Sequence, residues 1–186
     1  MTNLSDFTGD DLDQILDAPG AVLKGATLAD GRPGAFQFLK EMTSGAKVFR
    51  EAQEHENDFV RSVAIGMRDR LKEQDAAEAE AVANPALQVG VAAAAAATER
   101  AATEGARPDP EGETARAVEL TGAAVALLRA RGDEKDAVAY GEWLLRIAEQ
   151  VAGAAGSKEG GFFSRRVKVS AGERAFIDRL TTAVGG

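Results

Sequence analysis

Four carboxylates stand beside glycine turns or near the start of helices: Asp30, Glu41, Glu159 and Glu173. Hard divalent cations take carboxylate and carbonyl oxygens around such turns. Asp30 with Glu41, and Glu159 with Glu173, are therefore two candidate cation sites or one shared site, and a divalent cation is the one cofactor these residues suggest. No D-x-D-x-D-G calcium loop accompanies them. Each residue also has a plainer use. Glu173 follows Ser170 by three, the spacing of a capping box, in which each side chain accepts from the other residue's backbone N–H. Asp30 beside Gly31, and Glu159 beside Gly160 and Gly161, are ordinary turn chemistry.

Arg165 and Arg166 follow Gly160, Gly161 and Ser164, and a loop of backbone donors with two guanidinium groups could hold a small anion. The pattern is neither a P-loop nor a dinucleotide fingerprint, and two loop arginines are more often simply solvated. His55 is the one histidine. On a continuous helix Glu51, His55 and Asp58 would share a face, but a di-iron bundle needs a second Glu-x-x-His and further glutamates. EAQEHEND therefore reads as a solvated charged face. With no cysteine and no partner set for a serine nucleophile, a triad is not expected. The expectation is a non-enzymatic protein. Hydrolysis by clustered carboxylates, or sensing of a small anion, are the alternatives.

The elements that must position these residues are helical almost throughout. Leu4, Phe7, Leu12, Ile15 and Leu16 predict a first short helix with Thr8 as N-cap, and Pro19 is expected to restart the chain before a second helix over 21–29. DGRPG at 30–34 predicts a turn, and Phe36, Leu39, Met42, Ala46 and Phe49 a helix over 35–49. A long helix is expected over 58–83, with Phe59, Val63, Met67 and Leu71 on one stripe. Asn84-Pro85 opens another, the alanine-rich 86–103, which presents little apolar area and reads as an intramolecular helix sooner than a dimer interface. GARPDPEGE at 105–113 reads as a flexible loop. Helices over 114–131, closed by Gly132, and from Asp133 to Gly156 follow. The latter carries Val138, Trp143, Leu144, Ile147, Ala148 and Val151. The last helix starts at the Ser170–Glu173 box and buries Phe176, Ile177 and Leu180. The sum is one all-α domain over 1–186 of about seven helices, with repeat-like units near 4–50 and 134–184 and long central helices near 58–104. Tyr140, Trp143, Phe162 and Phe163 concentrate the aromatic material, Trp143 and Phe162 as core anchors and Phe163 as core or partner patch.

Formal net charge is −8 and the pI about 4.8. A chain this acidic repels phosphate backbones, so the expected partners are proteins, a second copy among them, and not nucleic acid. The first residues lack the basic-then-apolar order of a secretory signal. The longest alanine-rich apolar run, 89–97, is too short to span a bilayer. A cytoplasmic location fits both.

The two ends of the chain echo each other. Small residues over 22–29 lead to Asp30-Gly31 and then a helix with Glu41; small residues over 151–155 lead to Glu159-Gly160-Gly161 and then the helix at Glu173. On these residues the chain resembles the tellurite-resistance B-like group of helical proteins, best over 151–184 and more weakly over 21–41. It also resembles bacterial proteins that pair an ADxxG with an EGGF and VSxxE segment. The resemblance implies a helical domain with a pseudo-twofold repeat and a stress-associated, metal-linked interaction or scaffold role. It departs from that pattern in the insertion FFSRRVK and in the missing cap before Glu41.

Overall fold

The computed structural model describes residues 1–31, 47–83, 109–155 and 169–186. Among them all regular structure is helical and there is no strand. A 3-10 turn, Leu4–Asp6, leads to α1 (Asp10–Leu28). Then come α2 (Asp58–Ala83), α3 (Pro110–Arg131), α4 (Glu134–Ala155) and α5 (Ala171–Gly185). Residues 47–52 are helical as well. The fold is all-α. No helix among the described residues is long and apolar enough to cross a membrane. The expected helix over 35–49 up to residue 46, the alanine-rich 86–103 and the segment 156–168 lie outside the described residues.

The chain divides into two units. The first comprises Met1–Ala64 and Pro110–Gly186. In it α1 lies most extensively against α3, and also touches α4 and α5; α3 meets α4, and α5 packs on both. Its core is aliphatic around Ile15, Val22, Val60, Val63, Leu128, Leu144, Ile147 and Leu180, all fully buried. Through it runs a string of edge-to-face rings: Phe7–Phe59 at 6.3 Å, Phe59–Tyr140 and Tyr140–Trp143 each at 6.0 Å, and Trp143–Phe49 at 5.8 Å. So few aromatics hold so much of the core because each touches the next, a geometry worth about 0.5–1.5 kcal/mol per pair beyond burial. Trp143 is a core residue as expected, and Tyr140 is one as well. Val138 is exposed, and Ile177 is only half-buried.

The second unit, Ile65–Asp109, contains the rest of α2. There Arg68 bonds Asp69 at 2.8 Å, and Leu71, expected on the buried stripe, is 60% exposed.

Three boundaries differ from the sequence reading, each for a physical reason. Pro19 does not restart the chain: α1 is continuous through it. Proline removes the N–H that would bond the carbonyl of Ile15, and the buried Tyr140 hydroxyl supplies the missing donor, to Ile15 O at 2.6 Å. The N-cap of α1 is Gly9 instead of Thr8, at φ 58°, ψ −136°, a conformation suited to glycine. Helix α3 begins at Pro110, inside the segment read as a loop. Proline suits the first helical position, and Glu111 and Glu113 favour the positive end of the helix dipole.

Candidate functional site

Two of the four candidate carboxylates meet. Helix α1 ends at Leu28, and Gly31, at φ 92°, bonds its N–H to Leu28 O at 2.8 Å, which turns the chain and leaves Asp30 at the tip. Across from it begins α5. Ser170 is its N-cap: its Oγ accepts from Glu173 N at 3.1 Å, while Ser170 N donates to Glu173 Oε2 at 2.8 Å. The predicted capping box is therefore formed on both sides. The same Ser170 hydroxyl donates to Asp30 Oδ1. One serine thus joins the turn after α1 to the first turn of α5.

The fit is close. A Cβ on Gly172 would collide with the carbonyl oxygen of Ala29 and lie 2.6 Å from Asp30 Oδ1, so only glycine lets the two backbones approach this far. One turn later Phe176 fills a notch at Gly25, where a Cβ would sit 2.8 Å from the ring and 3.0 Å from Ala117 Cβ. Glu173 is buried, at 5% exposure. Burial pushes its carboxyl above the usual glutamate range; the Ser170 N–H pulls it back, and the charge of Asp30 adds to the rise.

Glu41, the partner first paired with Asp30, and Glu159, the partner first paired with Glu173, lie outside the described residues, as do Gly160, Gly161, Arg165, Arg166, Phe162 and Phe163. The pairing observed is across the two echoing units: Asp30 with Ser170 and Glu173. Among the described residues no cluster of three or more histidine or carboxylate side chains that could hold a metal is found, so a cation at Asp30 and Glu173 would have to complete its shell from backbone oxygens and water.

A second polar centre was not singled out from sequence. Asp136, buried at 6% exposure in the first turn of α4, accepts from Thr2 N at 2.7 Å and from Asn57 Nδ2 at 2.9 Å. Burial works to raise this carboxyl, but the Thr2 N–H and the Asn57 amide outweigh it and hold it below the usual aspartate range. Asn57 also caps α2, its Oδ1 accepting from Val60 N at 3.0 Å, and Asn57 N donates to His55 Nδ1 at 3.1 Å. The signal available in the sequence was Asn57 itself, an N-cap type at the head of an apolar stripe.

His55 therefore does not share a helix face with Glu51 and Asp58. The helix over 47–52 ends before it, and α2 starts after it. With Nδ1 accepting, a neutral His55 carries its proton on Nε2. The side chain lines an open groove of about 570 Å³ with Glu56, Asn57, Ala139, Glu142, Trp143 and Arg146. Arg146 is paired with Glu51 Oε2 at 3.2 Å. Trp143 closes the floor; its Nε1 is buried without an acceptor among the described residues. The groove can offer a cation, two carboxylates and an imidazole N–H to a partner. In comparisons with known proteins, the chain matches no family model, no curated protein and no solved structure.

Proposed function

We propose that the chain is a non-enzymatic interaction protein, a helical scaffold that offers the groove between residues 55–57 and α4 to a protein partner. The observation that carries this reading is where the charged groups are engaged. Asp30 and Asp136 bridge elements by accepting from Ser170, Thr2 and Asn57, and Glu173 closes the cap of α5, so these carboxylates tie the fold together. The groove, by contrast, turns the exposed Glu56 and Glu142 to solvent beside the Trp143 ring, with the exposed Arg146 held by Glu51 at its edge. Charged rims of this kind steer and select partners. The net charge of −8 favours protein over nucleic acid as that partner, in the cytoplasm, and a second copy of the chain is among the candidates. The stress-associated role implied by the tellurite-resistance B-like resemblance belongs to the same reading. Photo-crosslinking groups placed in cells at positions 142 and 146, with Asp178 on α5 as a remote control, test it. Protein adducts are expected at 142 and 146 and not at 178. No adducts, or equal adducts at all three, would remove the groove from the proposal.

A second reading rests on the meeting of Asp30 and Glu173: a divalent cation held between the two carboxylates. A ligand bound to the folded state raises the melting midpoint. Millimolar calcium, magnesium or zinc should raise it reversibly with EDTA, and Asp30→Asn should cancel the effect. An unchanged midpoint sinks the cation.

A further inference from the structure

Three charged residues line the groove beside α4: Glu56, Glu142 and Arg146. Arg146 is already engaged, paired with Glu51 at 3.2 Å, and Lys47 leans on the same glutamate at 3.7 Å. Arg61, further along, is held by Asp58 and by the carbonyl of His55. Arg50, exposed on the helix over 47–52, is not part of the lining. Glu56 and Glu142 are exposed, and neither has an ion pair or hydrogen bond among the described residues. A donor without a partner stands beside them. Trp143, only 2% exposed, forms the floor, and its indole Nε1–H finds no acceptor among the described residues. A buried donor left unpaired is costly, which favours an occupant that brings a carbonyl oxygen. His55 adds a second donor: with Nδ1 accepting from Asn57 N, the neutral ring carries its proton on Nε2.

We propose that the occupant of this groove is a basic segment of a partner protein. A lysine or arginine head lies against Glu56 and Glu142, and main-chain carbonyls of the segment accept from His55 Nε2 and Trp143 Nε1. The inference rests on the reading of the groove as a docking site and names the chemistry of what docks there. Two free carboxylates beside two N–H donors match a peptide that carries cations on its side chains and acceptors along its backbone. The size agrees, since an open groove of about 570 Å³ has room for a few residues of extended chain. The long-range field has the same sign. Over the full 186 residues 30 Asp and Glu stand against 22 Lys and Arg, and a net charge of −8 draws a basic segment in. It repels a second copy of the chain at a distance, which puts a different protein ahead of self-association at this site.

Titration of the isotope-labelled full chain with two short peptides, followed by NMR, tests it. One alternates glycine and lysine; the other is the same peptide with every lysine acetylated. Trp143 is the one tryptophan, so a single indole N–H signal reports on the floor. The lysine peptide should move that signal and the amides of 55–57 and 139–146 saturably, and leave those of α5 in place. The acetylated peptide should move neither. Glu56→Gln and Glu142→Gln should each weaken binding about two- to fivefold, the range of one exposed ion pair. Asp178→Asn, which removes the same charge from the exposed face of α5, should leave the affinity unchanged. No response to the lysine peptide, an equal response to the acetylated one, or an equal loss in Asp178→Asn would overturn the basic occupant. Crosslinked adducts at 142 and 146 without any response to the lysine peptide would keep the groove and overturn only its occupant. Absence of adducts together with absence of a response would remove both.

Discussion

At the scale of single residues, the tie between Tyr140 and α1 explains how a helix survives a proline. Pro19 in the interior of α1 frees the carbonyl of Ile15 and normally costs about 3 kcal/mol or more. The Tyr140 hydroxyl, fully buried and pushed upward in pKa by burial and then by the charge of Asp17, can serve there only as a neutral donor. Removing it strands a buried carbonyl, at a cost of about 1–3 kcal/mol. Tyr140→Phe should lose that much in urea unfolding. Pro19→Ala restores the backbone N–H that bonds Ile15 O, so Tyr140→Phe should cost clearly less in the Pro19→Ala background. Equal costs in both backgrounds would separate the tyrosine from the proline. Asp136 makes a comparable case with a charge. Asp136→Asn leaves one acceptor and turns an NH₂ towards the donors of Thr2 or Asn57. It should cost about 1–3 kcal/mol at pH 7, and the difference from wild type should shrink as pH falls from 3.8 through the lowered range in which the folded aspartate takes up its proton.

At the scale of elements, glycines decide how α5 sits. Gly25 of α1, Gly122 of α3 and Gly141 of α4 each meet a side chain of α5: Phe176, Ala183 and Val184. Their neighbours differ in how far they can yield. Gly25 is flanked by a buried ring and by Ala117 Cβ, both fixed, so Gly25→Ala should destabilise by about 1–3 kcal/mol through overpacking. Gly141 meets a methyl of the half-buried Val184 near the end of α5. Gly141→Ala should therefore be milder, and Val184→Ala should restore it. Melting curves of the two single variants and of the Gly141→Ala, Val184→Ala pair check this; a Gly141→Ala loss larger than that of Gly25→Ala would refute the ranking. The same elements show what could be read from sequence. The first half of the α2 stripe, Phe59 and Val63, the glycine stop at 132, the Asp133 start of α4 and the Ser170–Glu173 box were legible because each depends on residues within one or two turns. Continuity of α1 through Pro19 was not, since the donor that permits it lies on α4. Nor was the Asp30–Ser170 contact or the Asp136 centre: spacing along the chain places residues on one helix and is silent about which helix ends meet.

At the scale of the whole molecule, three electrostatic effects overlap in pH, and their signs separate them. A net charge of −8 near neutrality repels itself, and acidification towards the pI of about 4.8 relieves that. Glu173, raised in the folded state, adds stability over part of the same range as it takes up its proton. Asp136, lowered in the folded state, contributes stability that is present above 3.8 and lost as pH falls below it. Thermal midpoints should therefore rise from pH 7.5 to about 5 and fall again below about 4. Salt divides the first two causes. The Debye length shrinks from about 10 Å at 0.1 M to about 3 Å at 1 M, which removes repulsion between exposed charges and leaves a buried carboxyl largely untouched. In 1 M sodium chloride, at protein concentrations low enough to avoid association near the pI, the wild-type midpoint should still rise on acidification, while that of Glu173→Gln should stay level. A rise abolished by salt in the wild type, or preserved in Glu173→Gln, would assign the effect to net charge and not to the junction of α1 and α5.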